Sequence, residues 1–343
     1  MTTIAVTNQK GGVGKTTTTV NLAASLAANG QRVLLIDLDP QGNATMGCGV
    51  DKHGLESSVY DVLMHGAHVE DVRQRSPEAG FDVIPANADL TAAEVELVST
   101  TTKENRLRYA LARVRHEYDY MLIDCPPSLN MLTVNALVAA DSVLIPVQCE
   151  YYALEGLSSL LNTVTRVQRM LNPQLRIEGL LRTMYDARNS LTNDVSMQLI
   201  GHFGSRVYAT LIPRNVRLAE APSHGKPALV YDAASRGAIA YLAAASEMLR
   251  RHGKRSTVAV PEGAVAIRRP KGKWHPLFHL LSIIALPLVY AVYLGVAEAA
   301  RERALALVRK RRPDDHLLQV VGEMENQLAA ARMAHAHWAT LIN

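Results

Sequence analysis

The run Lys10-Gly11-Gly12-Val13-Gly14-Lys15-Thr16-Thr17 holds the residues of this chain whose types and spacing can do chemistry. It follows the apolar run 4–6 and opens the helical pattern 16–29. Glycines let a backbone curl until several N–H groups point at one anion. The helix that follows adds unpaired N–H donors and the positive end of its dipole. Lys15 then supplies charge for the β- and γ-phosphates, and the Thr16 hydroxyl is a ligand for Mg²⁺. The arrangement predicts a nucleoside triphosphate site built from Gly11, Gly12, Val13, Gly14, Lys15, Thr16 and Thr17.

Two acidic signals complete this chemistry. Asp37-Leu38-Asp39-Pro40-Gln41-Gly42-Asn43 closes the apolar run 33–36. Carboxylates at the end of a buried strand are costly unless they act there. One can hold Mg²⁺ through water while the other orients an attacking water. Tyr120-Met121-Leu122-Ile123-Asp124-Cys125-Pro126-Pro127 is an apolar strand ending in an acid, an arrangement in which Asp124 supports Mg²⁺, also through water. No histidine follows Cys125 closely, so its thiol reads as a small passive residue.

The elements that must carry these residues alternate. Strands are predicted at 3–7, 33–37, 82–85, 120–124, 143–147, 177–183 and 207–212. Helices are predicted at 15–29, 91–97, 103–116, 131–139, 155–171, 191–203, 217–222 and 234–251. The strand runs are continuously apolar, as parallel strands buried on both faces are. The fold class is therefore α/β: a doubly wound, mostly parallel sheet whose ligands sit at the carboxyl ends of its strands.

The general phosphate-loop pattern, G-x-x-x-x-G-K-[ST], would put its first glycine at position 9, where this chain has Gln9. Lys10 stands beside it instead. Lys-Gly-Gly-Val-Gly-Lys-Thr resembles the deviant Walker A motif of the ParA/MinD class of ATPases. The resemblance extends over about residues 1–250. It takes in Asp37–Asn43, the Asp124-Cys125-Pro126-Pro127 run, Val147–Gly156, Thr183–Arg188 and Ile212–Ser223. It implies that Lys10 reaches across a homodimer to the partner's ATP. It also implies that Asp39 is needed for hydrolysis and that Pro213 and Asn215 lie against the adenine. No Asn-Lys-x-Asp element for reading guanine is present, which also favours ATP. The resemblance further implies a chromosome- or plasmid-partitioning ATPase, cytoplasmic and nucleoid-associated, with low intrinsic turnover. Such a dimer binds DNA without sequence preference through arginines matching Arg188 and Arg217, and a ParB-type centromere-binding protein stimulates it. The alternative, of another class, is a MinD-like membrane-positioning ATPase, which needs a short amphipathic helix at the domain's end, for which Leu242–Arg251 is a poor candidate. An iron–sulfur reductase of the nitrogenase type would need bridging cysteines that the spacing of Cys48, Cys125 and Cys149 does not offer.

Composition agrees with a folded intracellular protein. Of 343 residues, 48% are hydrophobic and 20% charged, ordinary values for a globular chain. Three cysteines without a C-x-x-C pair argue against a disulfide framework or a zinc site. Met1-Thr2-Thr3 leads directly into a strand, so no export signal is expected. The net charge of +4 is uneven: residues 255–343 carry 12 basic and 7 acidic side chains, and the rest carry 24 and 25. Any DNA contact by the first part must therefore be a local arginine patch. The domains are expected at 1–253, with a linker at 254–273 and an α-helical appendage at 274–343. Residues 277–296 run without a charge, long enough to span a bilayer. The same region resembles part of the C-terminal helical domain of acyl-CoA dehydrogenases. Membrane association is expected only through this appendage.

Overall fold

The computed structural model describes residues 1–150 and 153–258. Among the described residues eight strands form one sheet. They are β1 (Thr2–Val6), β2 (Val33–Asp37), β3 (Gln74–Arg75), β4 (Asp82–Ile84), β5 (Tyr120–Asp124), β6 (Ser142–Gln148), β7 (Arg176–Tyr185) and β8 (Val207–Pro213). The sheet order is β3-β4-β2-β5-β1-β6-β7-β8, parallel throughout except for β3 against β4. The helices before β5 are α1 (Lys15–Ala28), α2 (Asn43–Gly47), α3 (Val59–Met64), α4 (Val69–Val72), α5 (Leu90–Ser99) and α6 (Arg106–Val114). Those after it are α7 (Met131–Ala139), α8 (Ala153–Met170), α9 (Ser190–Phe203), α10 (Val216–Glu220), α11 (Ala228–Tyr231) and α12 (Arg236–Arg251).

Two-sided burial explains the apolar strand sequences. In β2, Val33 and Leu35 join one core while Leu34 and Ile36 join the other. In β5, Tyr120 and Leu122 face the first core and Met121 and Ile123 the second. Helices α1 and α12 cover one face; α3 and α5 to α9 contribute to the other. All of β2 and β5 is buried, and each fully buried leucine there contributes roughly 2 kcal/mol. The central strands β1, β2 and β5 end side by side, with Val6 opposite Asp124 and Asp37 opposite Asp124. That shared carboxyl edge is where the loop 7–14 and the loop after Asp37 must lie.

The predicted alternation agrees with the structure, and β2, β5 and α7 have the predicted limits. The two-residue strand β3 and the short helices α2, α3, α4 and α11 were not predicted. β3 is exposed, so no apolar pattern marks it. The segment Leu242–Arg251, required as a membrane helix in the MinD-like reading, lies within α12, where Leu242, Ala245, Met248 and Leu249 are buried in the core. Among the described residues no helix is long and apolar enough to cross a membrane. Residues 254–258, expected as the start of the linker, are tied to the end of α1. Ser256 Oγ and the Thr257 and Val258 amides donate to Asn29 Oδ1 at 2.7, 3.1 and 3.1 Å. The charge-free run 277–296 and the acyl-CoA dehydrogenase-like stretch lie outside the described residues.

Candidate nucleotide and metal site

Asn8 sets the loop entering α1. Its Nδ2 donates to the Pro146 carbonyl at 2.8 Å, and its Oδ1 accepts the Lys10 amide at 3.0 Å. This turn fixes the loop to β6. Gly14 caps α1 with φ of 84°, a left-handed value that suits glycine, and no side chain caps the helix start. The helix thus opens with N–H donors free of any side-chain acceptor, as an anion requires.

Lys15, the first residue of α1, is buried, and its Nζ donates only weakly, to the Lys10 carbonyl at 3.4 Å. Burial lowers its pKa below the ordinary lysine value, against the attraction of Asp124, Cys125 and Asp39. Thr16 Oγ1 donates to Asp124 Oδ2 at 2.8 Å, and Thr19 Oγ1 donates to Asp124 Oδ1 at 3.0 Å. Asp124 and Asp37 are fully buried neighbours across β5 and β2. Burial pushes both carboxyls above the usual range, with repulsion from Asp37 adding at Asp124 and a smaller one from Asp39 adding at Asp37, while their hydroxyl and amide donors pull the other way. A bound cation would let both carboxyls ionise together.

Asp37 also shapes the loop that carries Asp39. Its Oδ2 accepts both the Thr45 amide and hydroxyl at 2.8 Å, and its Oδ1 accepts the Asp39 amide at 3.0 Å. Gly42 closes that loop with φ of 60°, and a Cβ there would lie 2.7 Å from the Ala86 carbonyl oxygen. Asp39 is half-buried, with Oδ1 accepting the Gln41 amide. Lys10 lies at the same edge, its Nζ 2.7 Å from Glu150 Oε2. The structure therefore brings Lys10, Lys15, Thr16, Asp39 and Asp124 together around one loop.

Pro213 ends β8 opposite Tyr185. Asn215 follows it, and its Oδ1 is buried without a hydrogen-bond partner. A Cβ on Gly237 of α12 would lie 3.0 Å from that oxygen. One turn along α12, Tyr241 hydrogen-bonds Thr18 of α1 at 3.0 Å, so α12 links Asn215 to the loop helix. Arg188 and Arg217 belong to a different group. Arg188 grips Asp186 with two bonds, 2.9 and 2.8 Å, and holds its carboxyl well below the usual range. Arg217 pairs with Glu220 at 2.7 Å and Asp232 at 3.3 Å. Sequence reasoning assigned no role to Asn8, Thr19, Thr45, Thr183 or Glu150; only Asn8, two residues before Lys10, carried a local turn signal. All three cysteines are free and buried, and burial pushes the Cys125 thiol far up, as suits a passive residue.

A phosphate loop with a second lysine, on a parallel sheet whose acids end beside it, defines a deviant P-loop nucleotide-binding protein. The comparisons agree. A family profile described as an AAA domain matches residues 1–177. The sporulation initiation inhibitor protein Soj of Bacillus subtilis is 59% identical over 71% of this chain and 97% of its own. The chromosome partitioning protein ParA of Caulobacter vibrioides is 53% identical over 75% of this chain and 97% of its own. Among solved structures, a Mycobacterium smegmatis protein described as cobyrinic acid a,c-diamide synthase, with bound ADP and magnesium, is 38% identical. It covers 76% of this chain and all of its own, with a TM-score of 0.65. The septum site-determining protein MinD of Pyrococcus horikoshii shares the fold at 23% identity and a TM-score of 0.61. The chain belongs to the ParA/Soj family of partitioning ATPases.

Proposed function

We propose that this chain is a Mg-ATP-dependent switch for partitioning DNA. The observation that carries the reading is the convergence of Lys10, Lys15, Thr16, Asp39 and Asp124 on one uncapped helix start. The residues fit a magnesium nucleotide. The helix start and the buried Lys15 suit the phosphates. The Thr16 hydroxyl and the raised carboxyl of Asp124 suit a divalent cation, Asp124 acting through water. The orphaned Asn215 Oδ1 suits an amino group such as that of adenine, with Pro213 beside it. Bound Mg²⁺ would neutralise charge on the phosphate oxygens. Asp39, held at the loop edge by Asp37, orients the attacking water. Lys10 leaves Glu150 and reaches the nucleotide of a second copy, making ATP the glue of a homodimer.

In this reading the dimer aligns Arg188 and Arg217 against the phosphates of DNA, without base preference. Each arginine exchanges an internal carboxylate for a phosphate, so binding weakens with salt. A ParB-type partner stimulates otherwise slow hydrolysis and releases the DNA. This places the protein in the cytoplasm, on the nucleoid.

The test uses the full chain with Mg-ATP: light scattering for dimerisation, co-sedimentation with duplex DNA, and phosphate release. Asp39→Ala should lower hydrolysis by about 100-fold or more while nucleotide binding persists. A chain that stays single with Mg-ATP, or an Asp39→Ala variant that hydrolyses normally, removes the reading.

A further inference from the structure

One strained segment joins the phosphate loop to the arginine group. Thr183 Oγ1 donates to the Val13 carbonyl at 2.8 Å. Met184 has φ of 48°, a left-handed backbone that an L side chain adopts at a cost. Its Cε lies 3.8 Å from where a Cβ on Gly14 would stand. Between Arg182 and Tyr185 the β7–β8 ladder shifts register. Tyr185 then donates its hydroxyl to Asn193 Oδ1 of α9 at 2.6 Å and accepts the Arg214 amide at 3.3 Å. Asp186 follows and grips Arg188. Six residues, 183–188, thus touch the phosphate loop at one end and carry the exposed arginine at the other.

We propose that Met184 is a positioning residue and a two-state relay: its backbone conformation is biased by the phosphate loop and sets where Arg188 lies. This rests on the reading that Arg188 faces DNA. Glycine would take this backbone without strain, so the contacts with the loop would no longer decide its conformation. Methionine takes it only while neighbours hold it, here Val13 through the Thr183 hydrogen bond, with the Met184 side chain lying over the open side of Gly14. Strain kept by such contacts is released when they change. Phosphate-loop occupancy acts on that bond and on the space beside Gly14, so it has the differential grip that a shift of equilibrium requires. The register shift against β8 supplies the slack at Met184, while Thr183 stays paired with Gln148 of β6.

The test compares full-length wild type, Met184→Gly, Met184→Ala and the Arg188→Ala/Arg217→Ala double variant. The readouts are affinity for a duplex without partition sites, with Mg-ATP and without nucleotide, plus ATP affinity and thermal melting. Met184→Gly should shrink the ATP-on to ATP-off ratio of DNA affinity by about tenfold, within the usual range of allosteric coupling. Its melting should hold, and its ATP affinity should stay within about threefold, because the phosphate-binding groups are untouched. Met184→Ala keeps the backbone penalty and should retain more of the ratio than Met184→Gly. An unchanged ratio in Met184→Gly, or an equal fall in both variants, overturns the relay while leaving the DNA reading in place. Wild-type DNA affinity in the double arginine variant overturns the DNA reading itself and the relay with it.

Discussion

The two ends of β5 meet opposite fates. At its carboxyl end, Asp124 lies buried beside Asp37; both are raised first by burial, and Asp124 also by the Asp37 charge. Their donors are hydroxyls and amides from Thr16, Thr19, Thr45 and Asp39. At its amino end, Tyr120 stacks on His252 with ring centroids 5.7 Å apart, and its hydroxyl meets His252 Nδ1 at 2.9 Å. His252 Nε2 pairs with Glu178 at 3.0 Å, and Tyr208 donates to the same carboxylate at 2.9 Å. Arg251 lies 4.0 Å over the Tyr208 ring, and Lys254 lies 4.6 Å over Tyr120. One edge satisfies its charge from its own chain; the other gathers like charges and keeps them dry. A fold tolerates that conflict where a ligand resolves it.

The largest break comes at the carboxyl edge. Lys15 is the buried cation facing the loop, and truncating it removes the charge partner of the phosphates. Lys15→Ala should weaken Mg-ATP binding by about 100-fold or more, since a buried charge partner is lost. Titration calorimetry on the full chain measures this. Affinity within threefold of wild type would mean that the loop holds its ligand without the lysine.

At the amino edge the same kind of truncation should cost stability and spare ATP. Glu178→Ala strips a buried carboxylate from His252, Tyr208 and Ser142. The expected loss is about 3 kcal/mol, as for a broken buried pair. Burial alone would raise the Glu178 pKa, but the His252, Tyr208 and Ser142 bonds outweigh it and lower the value. A depressed carboxyl contributes stability above its unfolded value of 4.5, and that contribution fades as pH falls through the folded value. Urea unfolding at neutral and acid pH should therefore show wild type and variant converging in acid. Equal stability at neutral pH would undo the contrast between the edges.

Much of the carboxyl edge was legible in sequence because its residues sit in short runs. Lys10 to Thr17, Asp37 to Asn43 and Asp124 to Pro127 each carry their chemistry locally, and the apolar strands β2 and β5 announce their own limits. Pairings across long separations were not legible. Lys10 and Glu150 are 140 positions apart, and Tyr120 and His252 are 132 apart. No local pattern encodes such contacts. The helix α3 was readable in principle, since Ser58 and Asp61 form a capping box. At six residues it was too short for its periodicity to register. The strain at Met184 is invisible in sequence, because methionine has no preference for a left-handed backbone.

The smallest effect sharpens the comparison most. Asp124 has a folded pKa above its unfolded value of 3.8. Its protonated form is therefore favoured by folding, and its charge costs stability as pH rises through and beyond that window. Asp124→Asn keeps the shape and removes the charge. Without nucleotide it should be more stable than wild type on the alkaline side, where only the wild type carries the buried charge. The gain should shrink as pH falls toward the ordinary aspartate range. Mg-ATP should reverse the order, raising the melting temperature of wild type and leaving the variant nearly unmoved, because only the carboxylate gains from the cation. A variant less stable than wild type at alkaline pH without nucleotide would show that Thr16 and Thr19 already satisfy Asp124. The two edges of the sheet would then differ in their partners and not in what they lack.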